Sequence, residues 1–281
     1  MLLCEQNIEH LLWRQRATLA GDDARREAFH LHEQATRQAE HAAWLRADLC
    51  ATVTETDRQL MQTEMPALQV TVVPDGVDHS SSVTFTGEQP SPQITRDCPS
   101  IVLVGNFGYQ PNVDAAMHMC TALFPRIKGA VPDAHLLLVG GSPPAELRRT
   151  AAATGSVTVT GEVDEVEPYL TGATVVALPL RIGGGIKVKV LDALRCGSAI
   201  VTTPIGAQGL DRQTLGAMLV ASDDDGFAEA VVQLINSPSK RELLRHAAAR
   251  AVQQLPTWDD AGRALLRAYE DLLDTSTRVA A

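Results

Sequence analysis

The sequence predicts an α/β protein whose second half folds around a parallel β-sheet. From residue 100 onward, short runs of apolar and β-branched residues alternate with stretches in which apolar residues recur at helical spacing. The runs are apolar throughout, which is typical of strands covered on both faces, and their alternation with helices is typical of a parallel sheet. The chain has 281 residues, of which 45% are apolar, and this is enough material for a buried core.

The first part of the chain reads differently, because it is polar and helical. Apolar residues over Phe29–Leu45 recur at three- and four-residue steps, which predicts an amphipathic helix. A short strand over Cys50–Thr54 leads into a helix start at Thr54–Asp57, and Val70–Pro74 is a second strand that is closed by an Asp-Gly turn. Residues 79–99 are rich in Ser, Thr and Pro and predict a linker.

In the second half, the apolar runs predict strands and the intervening stretches predict helices. The strands are Ile101–Val104, His135–Val139, Val157–Thr160, Thr174–Leu178, Ala199–Thr203 and Ala217–Val220. The helices include Val113–Lys128, Glu146–Ala153 and Ile186–Cys196. The tail from Ser239 to Leu273 is predicted to be helical, with a break at Pro256.

Composition excludes several classes of function. The 34 acidic and 24 basic side chains give a net charge of −10, which argues against a general nucleic-acid or membrane-surface binder. No apolar run approaches the length of a membrane span, and the first residues do not resemble a signal peptide. The five cysteines occur singly, without a CxxC pair, so we expect neither a disulfide framework nor a zinc knuckle. This cysteine usage is typical of a protein of the reducing cytoplasm.

Ligands of open parallel sheets bind beyond the carboxyl ends of the strands, so we expect a binding site in the loops that follow the strands. Gly105 and Asn106 follow the strand that ends at Val104, and Asn112 could cap the next helix. Glycines let a ligand approach the backbone, and a helix N-terminus offers amides to a phosphate. An ordinary tight turn explains this loop equally well.

A second loop carries both glycines and cations. Gly183, Gly184, Gly185 and Ile186 lie between Arg181 and two lysines, Lys187 and Lys189, at the start of a predicted helix. Backbone amides, a positive helix end and cationic side chains together suit a diphosphate. The pattern is neither a Walker A loop nor GxGxxG, so an NTPase or a dehydrogenase is not supported. A flexible connection is the alternative.

Two further elements are candidates for nucleotide contacts. Asp192 lies about two turns into the predicted helix, where its carboxylate could accept hydrogen bonds from a ribose diol; a solvated helix carboxylate is the alternative. The loop from Gly161 to Val163 follows a strand and could present backbone groups to a nucleobase edge, although such loops are common.

Histidines in the first part of the chain suggest a metal site at first sight. His30 and His32 lie near Glu27 and His41 in the sequence. Residues two apart on a helix point in different directions, so we interpret them as a solvated helix face. No GxSxG or HExxH motif is present, and no metal site is predicted.

Taken together, these stretches resemble the donor half of the retaining glycosyltransferases of family 4, the glycosyl transferases group 1, which have the GT-B fold. The resemblance is carried by several motifs in family order: VGNFGYQPNVDAA, PDAHLLLVGG, VTVTGEVDEVEPYL, ALPLRIGGGIKVKVLDALRCGSAIVTT and GAQGL. Upstream, EQNIEHLLWRQRA, ATVTETDRQLM and VTVVPDGVD are similar to parts of the acceptor-side domain and its hinge. The resemblance covers nearly the whole chain.

The resemblance implies an α/β protein of GT-B type, with one complete Rossmann-like donor domain and a partial N-terminal acceptor-side domain. The expected boundaries are residues 1–78 for the acceptor-side part with the hinge, 79–99 for a linker, 100–255 for the donor domain and 256–281 for a C-terminal helix that crosses back to the first domain. About 78 residues precede the hinge, so the opening strands and glycine-rich loop of the family's first domain are expected to be missing.

The resemblance also assigns roles. The diphosphate of a nucleotide sugar would lie over Gly183–Lys187, with Arg181 and Lys187 as the catalytic cations. Asp192 would hold the ribose, and Gly105, Asn106 and the Gly161–Val163 loop would also contact the donor. Asn106 stands where the family commonly has an arginine. The first of the family's two glutamates falls on Gly184 and the second on Asp192.

The function implied is transfer of a sugar from a nucleotide-sugar donor to a glycan or lipid-linked acceptor, with retention and without a bound metal. A non-catalytic nucleotide-sugar-binding fragment or subunit is the alternative, and a nucleotide-sugar epimerase ranks lowest. Polysaccharide biosynthesis in the cytoplasm is the setting that the resemblance implies, and peripheral contact with the inner membrane stays open. No nucleic-acid partner is expected.

Overall fold

The computed structural model describes residues 1–79, 94 and 98–279, and it divides into two compact units. The first unit contains Met1–Asp78, Ile182–Ile186 and Leu255–Ala281. The second holds the described residues of His79–Arg181 together with Lys187–Gln254. Most of the linker predicted for residues 79–99 lies outside the described residues.

The first unit has a parallel sheet of three short strands. They are β1 (Leu2–Glu5), β2 (Leu49–Thr52) and β3 (Val70–Val72), in the order β1-β2-β3. Leu3 pairs with Cys50, and Cys50 pairs with Val70. The sequence predicted the second and third strands to within two residues, but it gave no prediction for β1.

Helices follow these strands in the first unit. They are α1 (Glu9–Thr18), α2 (Asp23–Arg46) and α3 (Glu55–Glu64). Thr54 caps α3 as the sequence predicts, since its hydroxyl oxygen accepts the Asp57 amide at 3.0 Å. Apolar side chains from these elements form a small core with β2: Ile8, Trp44, Cys50, Met61 and Leu68.

The buried face of α2 is polar, which the apolar pattern of its sequence does not predict. Leu31 and Leu45 belong to the predicted apolar stripe, yet both are exposed. The carboxylates of Glu33 and Glu40 face α1 instead, where Arg14 donates to Glu33 at 2.7 Å. Polar contacts thus join the two helices beside the Trp13 ring, which contacts Phe29 and His32, and a hydropathy pattern cannot reveal them.

The second unit is built on a six-stranded sheet that is parallel throughout. Its strands are β4 (Ser100–Val104), β5 (His135–Val139), β6 (Val157–Gly161), β7 (Val175–Leu178), β8 (Ile200–Thr202) and β9 (Met218–Val220). Their order in the sheet is β6-β5-β4-β7-β8-β9. The predicted parallel sheet is confirmed, and each strand lies within one residue of its predicted ends. β4, β7 and β8 are buried throughout, as their unbroken apolar runs require.

Helices connect the strands and cover the sheet. They are α4 (Gln110–His118), α5 (Phe124–Ala130), α6 (Ala145–Thr154), α7 (Glu167–Gly172), α8 (Val188–Arg195), α9 (Arg212–Leu215), α10 (Asp224–Asn236) and α11 (Pro238–Val252). A π-helical turn, Met119–Leu123, divides the predicted helix Val113–Lys128. Pro125 lies just after this turn, and a proline cannot donate the hydrogen bond that a regular helix needs there.

A last helix, α12 (Trp258–Val279), belongs to the first unit. It begins beyond Pro256, where the sequence predicts a break. The Val77 amide donates to the Pro256 carbonyl at 2.8 Å. A Cβ on Gly76 would lie 2.4 Å from the Trp258 nitrogen, so this close approach requires glycine.

Candidate functional site

The loop after β4 brings its backbone against two polar side chains of the second unit. A Cβ on Gly105 would lie 3.0 Å from the side-chain amide of Asn112 and 3.2 Å from the Lys189 ammonium. The Asn112 side chain donates to the Asn106 carbonyl at 2.8 Å, and its oxygen accepts a hydrogen bond from Lys189. Gly105, Asn106, Asn112 and Lys189 therefore form one polar cluster at the carboxyl end of β4.

This cluster corrects the role predicted for Asn112. Helix α4 begins at Gln110 with Tyr109 as its N-cap, so Asn112 lies inside the first turn and does not cap the helix. Its side chain is buried and joins the loop after β4 to the start of α8. No pattern in the sequence connects positions 112 and 189, which are 77 residues apart.

Two lysines stand next to each other at the beginning of α8. Lys187 is the N-cap residue of α8 and is buried. Burial and, to a smaller extent, the positive charge of Lys187 together lower the pKa of the Lys189 ammonium to about 8. The chain thus holds two ammonium groups close together, which is the arrangement expected where an anion binds.

Gly140, which is not among the predicted site residues, shapes the same edge of the sheet together with Gly161. Gly140 follows β5 with φ +141°, and a Cβ there would lie 2.1 Å from the Gly105 carbonyl oxygen. The Gly140 amide donates to the Gly161 carbonyl at 3.2 Å, and Gly161 itself has φ +75°. Glycine at position 140 is therefore required for the loop after β4 to take its position. The Gly-Gly pair directly after a strand was the sequence signal for it.

Asp192, the predicted ribose-binding carboxylate, lies one turn into α8, because that helix begins at Val188. Burial raises the pKa of the Asp192 carboxyl; the positive charge of Arg195 opposes this and the negative charge of Glu167 adds to it. Arg195 donates to Glu167 at 2.7 Å. Asp192 is partly buried, and its role at a ribose stays a prediction.

Arg181, one of the two predicted catalytic cations, forms an ion pair inside the second unit. Its Nε and one terminal nitrogen donate to the two carboxylate oxygens of Asp114, at 3.0 and 2.6 Å. This two-point pairing balances the charge of Arg181. Lys187 and Lys189 would therefore contribute more positive charge to an anion site than Arg181 does. The role of Arg181 stays a prediction.

The glycine loop lies in the first unit, where it packs against residues near the start of the chain. The Gln15 side chain accepts from the Gly183 amide at 2.7 Å and donates to the Gly183 carbonyl at 3.1 Å. A Cβ on Gly184 would lie 3.1 Å from Leu12. A Cβ on Gly185, which has φ +59°, would lie 2.6 Å from the Gln6 carbonyl oxygen.

These contacts correct the picture of an open phosphate cradle, since the Gly183 amide is already taken by Gln15. A Cβ at position 185 would collide with the Gln6 carbonyl oxygen, which gives a packing reason for glycine there. Diphosphate contacts by Gly183, Gly184, Gly185 and Ile186 stay predictions. The other predicted nucleobase contact, Val163, is partly buried in the loop after β6.

The first unit has its own cavity of about 360 Å³ at the carboxyl ends of β1, β2 and β3. Glu5 and Asp75 are among its lining residues, and burial raises the pKa of each carboxyl. Trp258 stands at the cavity and is largely exposed. A cavity with carboxyl groups and an aromatic ring suits a polyhydroxylated ligand.

The histidines of the first unit pair with carboxylates or stack. His30 lies 3.2 Å from Glu33, His41 lies 2.6 Å from Glu64, and His32 stacks on Trp13. In the part of the chain that the structure describes, no three His, Cys, Asp or Glu side chains form a group suited to a metal ion. Within the same residues, no helix combines the length and apolarity that crossing a bilayer requires.

Known proteins share this chain's fold and part of its sequence. A phosphatidylinositol monomannoside mannosyltransferase of Corynebacterium glutamicum, described as GDP-mannose-dependent, is 30% identical over 152 residues, which is 50% of this chain and 40% of that protein. A phosphatidyl-myo-inositol mannosyltransferase of Mycolicibacterium smegmatis is 23% identical over 212 residues, or 74% of this chain and 53% of that protein. The chain spans about half the length of the curated relatives it matches.

Solved structures support the fold. The sucrose-phosphate synthase of Thermosynechococcus elongatus superposes with a TM-score of 0.73 at 20% identity, over 98% of this chain and 68% of that one. WaaG, a glycosyltransferase of lipopolysaccharide biosynthesis, superposes with a TM-score of 0.61 at 14% identity, over 76% of this chain and 61% of that one. The predicted GT-B type of fold is confirmed. Residues 98–237 match the glycosyl transferases group 1, and through them the chain belongs to that family.

Proposed function

We propose that this chain is a glycosyltransferase that moves a sugar from a nucleotide-sugar donor to a glycan or lipid-linked acceptor. The observation that carries the proposal is the polar cluster of Gly105, Asn112 and Lys189, with Lys187 beside it, inside the segment that matches the family. A nucleoside diphosphate is the ligand that these groups suit, because it is a compact anion with oxygens that accept hydrogen bonds from ammonium groups.

The diphosphate would lie against the two lysines, where their charge stabilises the leaving group. As the bond between sugar and diphosphate breaks, negative charge grows on the β-phosphate. Ammonium groups fixed in place and shielded from water stabilise that charge without having to reorganise. Lys187 and Lys189 are already held at the start of α8, and Asn112 fixes Lys189 from the other side.

The remaining contacts follow from the same placement. Asp192 lies one turn beyond Lys189 on α8, within the same helix as the diphosphate cluster, and is proposed to hold the ribose. Gly161 and Val163 are proposed to face the base. Retention of configuration and independence from a bound metal are further parts of the proposal, which the family resemblance supports. The first unit, with its cavity near Glu5 and Asp75, is proposed to receive the acceptor.

The test is release of nucleoside diphosphate from a panel of nucleotide sugars, with bacterial lipid extract or water as acceptor. GDP-mannose belongs in the panel because a relative is described as dependent on it, and UDP-sugars belong because the solved structure of TarM contains UDP. One donor should be consumed, and Lys187→Ala and Lys189→Ala should each lower its turnover at least about 100-fold.

Lys128→Ala is the matched control, because Lys128 is a lysine of the same unit that hydrogen-bonds Ser156 on the surface. It should leave turnover unchanged. Turnover that survives both cluster variants would refute the proposed site. Saturable donor binding without release of diphosphate would instead identify a non-catalytic nucleotide-sugar-binding protein. The anomeric proton signal of the product distinguishes retention from inversion.

A further inference from the structure

Lysine is rare in this chain, and its placement is uneven. Of the 24 basic residues, 20 are arginines and four are lysines: Lys128, Lys187, Lys189 and Lys240. Two of the four lysines stand within three residues of each other at the start of α8. An arginine cannot lose its proton in a protein, whereas a buried lysine can do so near neutral pH. The polar cluster at the start of α8 thus contains lysines, whose positive charge can be lost near neutral pH.

The surroundings of Lys189 favour loss of its proton when no ligand is bound. Its ammonium donates to the Asn112 oxygen and lies next to Gly105, and both of these neighbours are uncharged. Among the described residues, Lys187 is the charged group that acts on it, and this charge is repulsive.

We propose that binding of a nucleoside diphosphate to the second unit is coupled to protonation of Lys189, which takes up a proton from the solvent as the ligand arrives. The inference rests on the proposed function, because that function supplies the anion. A diphosphate next to Lys189 reverses the sign of the local field and stabilises the ammonium. When the diphosphate leaves, Lys189 returns the proton to solvent, so rising pH favours product release.

The size of the effect follows from the pKa of Lys189, which burial and Lys187 lower to about 8 from its ordinary 10.5. At pH 6.5 the free protein already carries the proton, and binding takes up almost none. At pH 8.5 about three quarters of the free molecules lack it, so binding takes up roughly 0.7 proton. Above pH 8, the Kd for the nucleotide rises up to about tenfold per pH unit.

Calorimetric titration measures this proton directly. UDP and GDP are titrated at pH 6.5 and at pH 8.5, each in two buffers of different ionisation enthalpy, and the difference between buffers gives the number of protons taken up. The proposal expects uptake at pH 8.5 that is absent at pH 6.5. Lys189→Arg keeps a permanent charge, so it should bind with no uptake and with a Kd that is independent of pH. Lys187→Arg, which retains Lys189, should still take up the proton.

A second measurement follows the protonation of the lysines directly, and its first step uses the unmodified chain without nucleotide. With four lysines in the chain, the side chains of ¹³C-labelled lysine give few enough NMR signals to follow one by one. One signal should titrate near pH 8, and it should move to higher pH when UDP or GDP is added. Lys187→Met should also raise that midpoint, because it removes the repelling charge.

The outcomes separate this inference from the proposed function. Nucleotide binding without proton uptake at pH 8.5, or uptake that persists in Lys189→Arg, overturns the coupling and leaves the proposed function standing. Four lysine midpoints all above pH 10 overturn it as well. Failure of the folded chain to bind either nucleotide overturns the proposed function, and the coupling with it.

Discussion

Replacing His10 with alanine should strongly destabilise the first unit. The His10 side chain is fully buried between two carboxylates. Its Nδ1 lies 2.6 Å from Glu40, and its Nε2 lies 3.4 Å from Glu64 without hydrogen-bond geometry. Glu40 also accepts the Glu9 amide at 2.6 Å. The histidine thus joins α1 to α2 and α3 through charges that water reaches poorly.

The magnitude follows from the two carboxylates, which are only 11% and 12% exposed. A hydrogen bond to a charged group contributes about 1.5–3 kcal/mol. Leaving the other partner charged and buried adds to this loss, so the free energy of unfolding should fall by about 3–5 kcal/mol. His30→Ala is the matched control, because His30 also faces a glutamate but is 47% exposed. It should cost less than about 0.5 kcal/mol.

Tryptophan fluorescence during urea unfolding is the assay. All three tryptophans, Trp13, Trp44 and Trp258, belong to the first unit, so their signal reports on that unit. Trp44 is fully buried and donates to Glu5 at 2.8 Å. A loss below about 1 kcal/mol in His10→Ala, or equal losses in the two variants, would show that the buried contacts of His10 with Glu40 and Glu64 do not hold this unit together.

Three further predictions concern the second unit and the reaction. Gly140→Ala should lower the free energy of unfolding by about 3 kcal/mol or more, because its Cβ would collide with the Gly105 carbonyl. Gly129→Ala is the control, since Gly129 has open space around it, and it should be neutral or slightly stabilising. Comparison of the melting temperatures of the two variants tests this. Arg181→Gln and Asp114→Asn should show a coupling of about 1 kcal/mol in a double-mutant cycle, and additive effects would contradict the pairing. Donor turnover should be the same in EDTA as in added Mg²⁺, and activity lost in EDTA and restored by Mg²⁺ would show that a metal is required.

Acid should weaken the first unit through Glu64. Burial alone would raise the pKa of Glu64, but the hydrogen bond from His41 and the charges of His10 and Arg37 outweigh it and lower the pKa below 4.5. A carboxyl with a lowered pKa adds stability above pH 4.5, and this is lost as the pH falls through the folded-state value. Glu64→Gln should therefore make the urea midpoint less dependent on pH below 4.5. An unchanged acid dependence would contradict the assignment.

The sheet of the second unit could be predicted from the sequence because its signal is local. Strands such as β4 and β5 are apolar after their first residue, and burial on both faces of a parallel sheet demands that pattern. Strand β1 could not be predicted in the same way. Its four residues, Leu-Leu-Cys-Glu, neither alternate nor extend far enough to be told from the start of a helix.

The site was predictable in its loops but not in its contacts. The loops after β4 and β7 were found because glycines and cations follow predicted strands. The contact of Lys189 with Asn112 and that of Gln15 with Gly183 join positions 77 and 168 residues apart. Only the folded chain brings such positions together. These contacts place Lys189 at the end of β4 and occupy the Gly183 amide.

Calorimetric titration of this chain with UDP, GDP and ADP at pH 7 tests directly whether the cluster at the start of α8 binds a nucleotide. We expect saturable binding of one of these nucleotides. Lys187→Ala and Asp192→Ala should each weaken that binding at least about tenfold, since each removes one charged contact, while Lys128→Ala should leave it unchanged. A folded chain that binds none of the nucleotides, or that binds one equally well in all variants, would contradict the account.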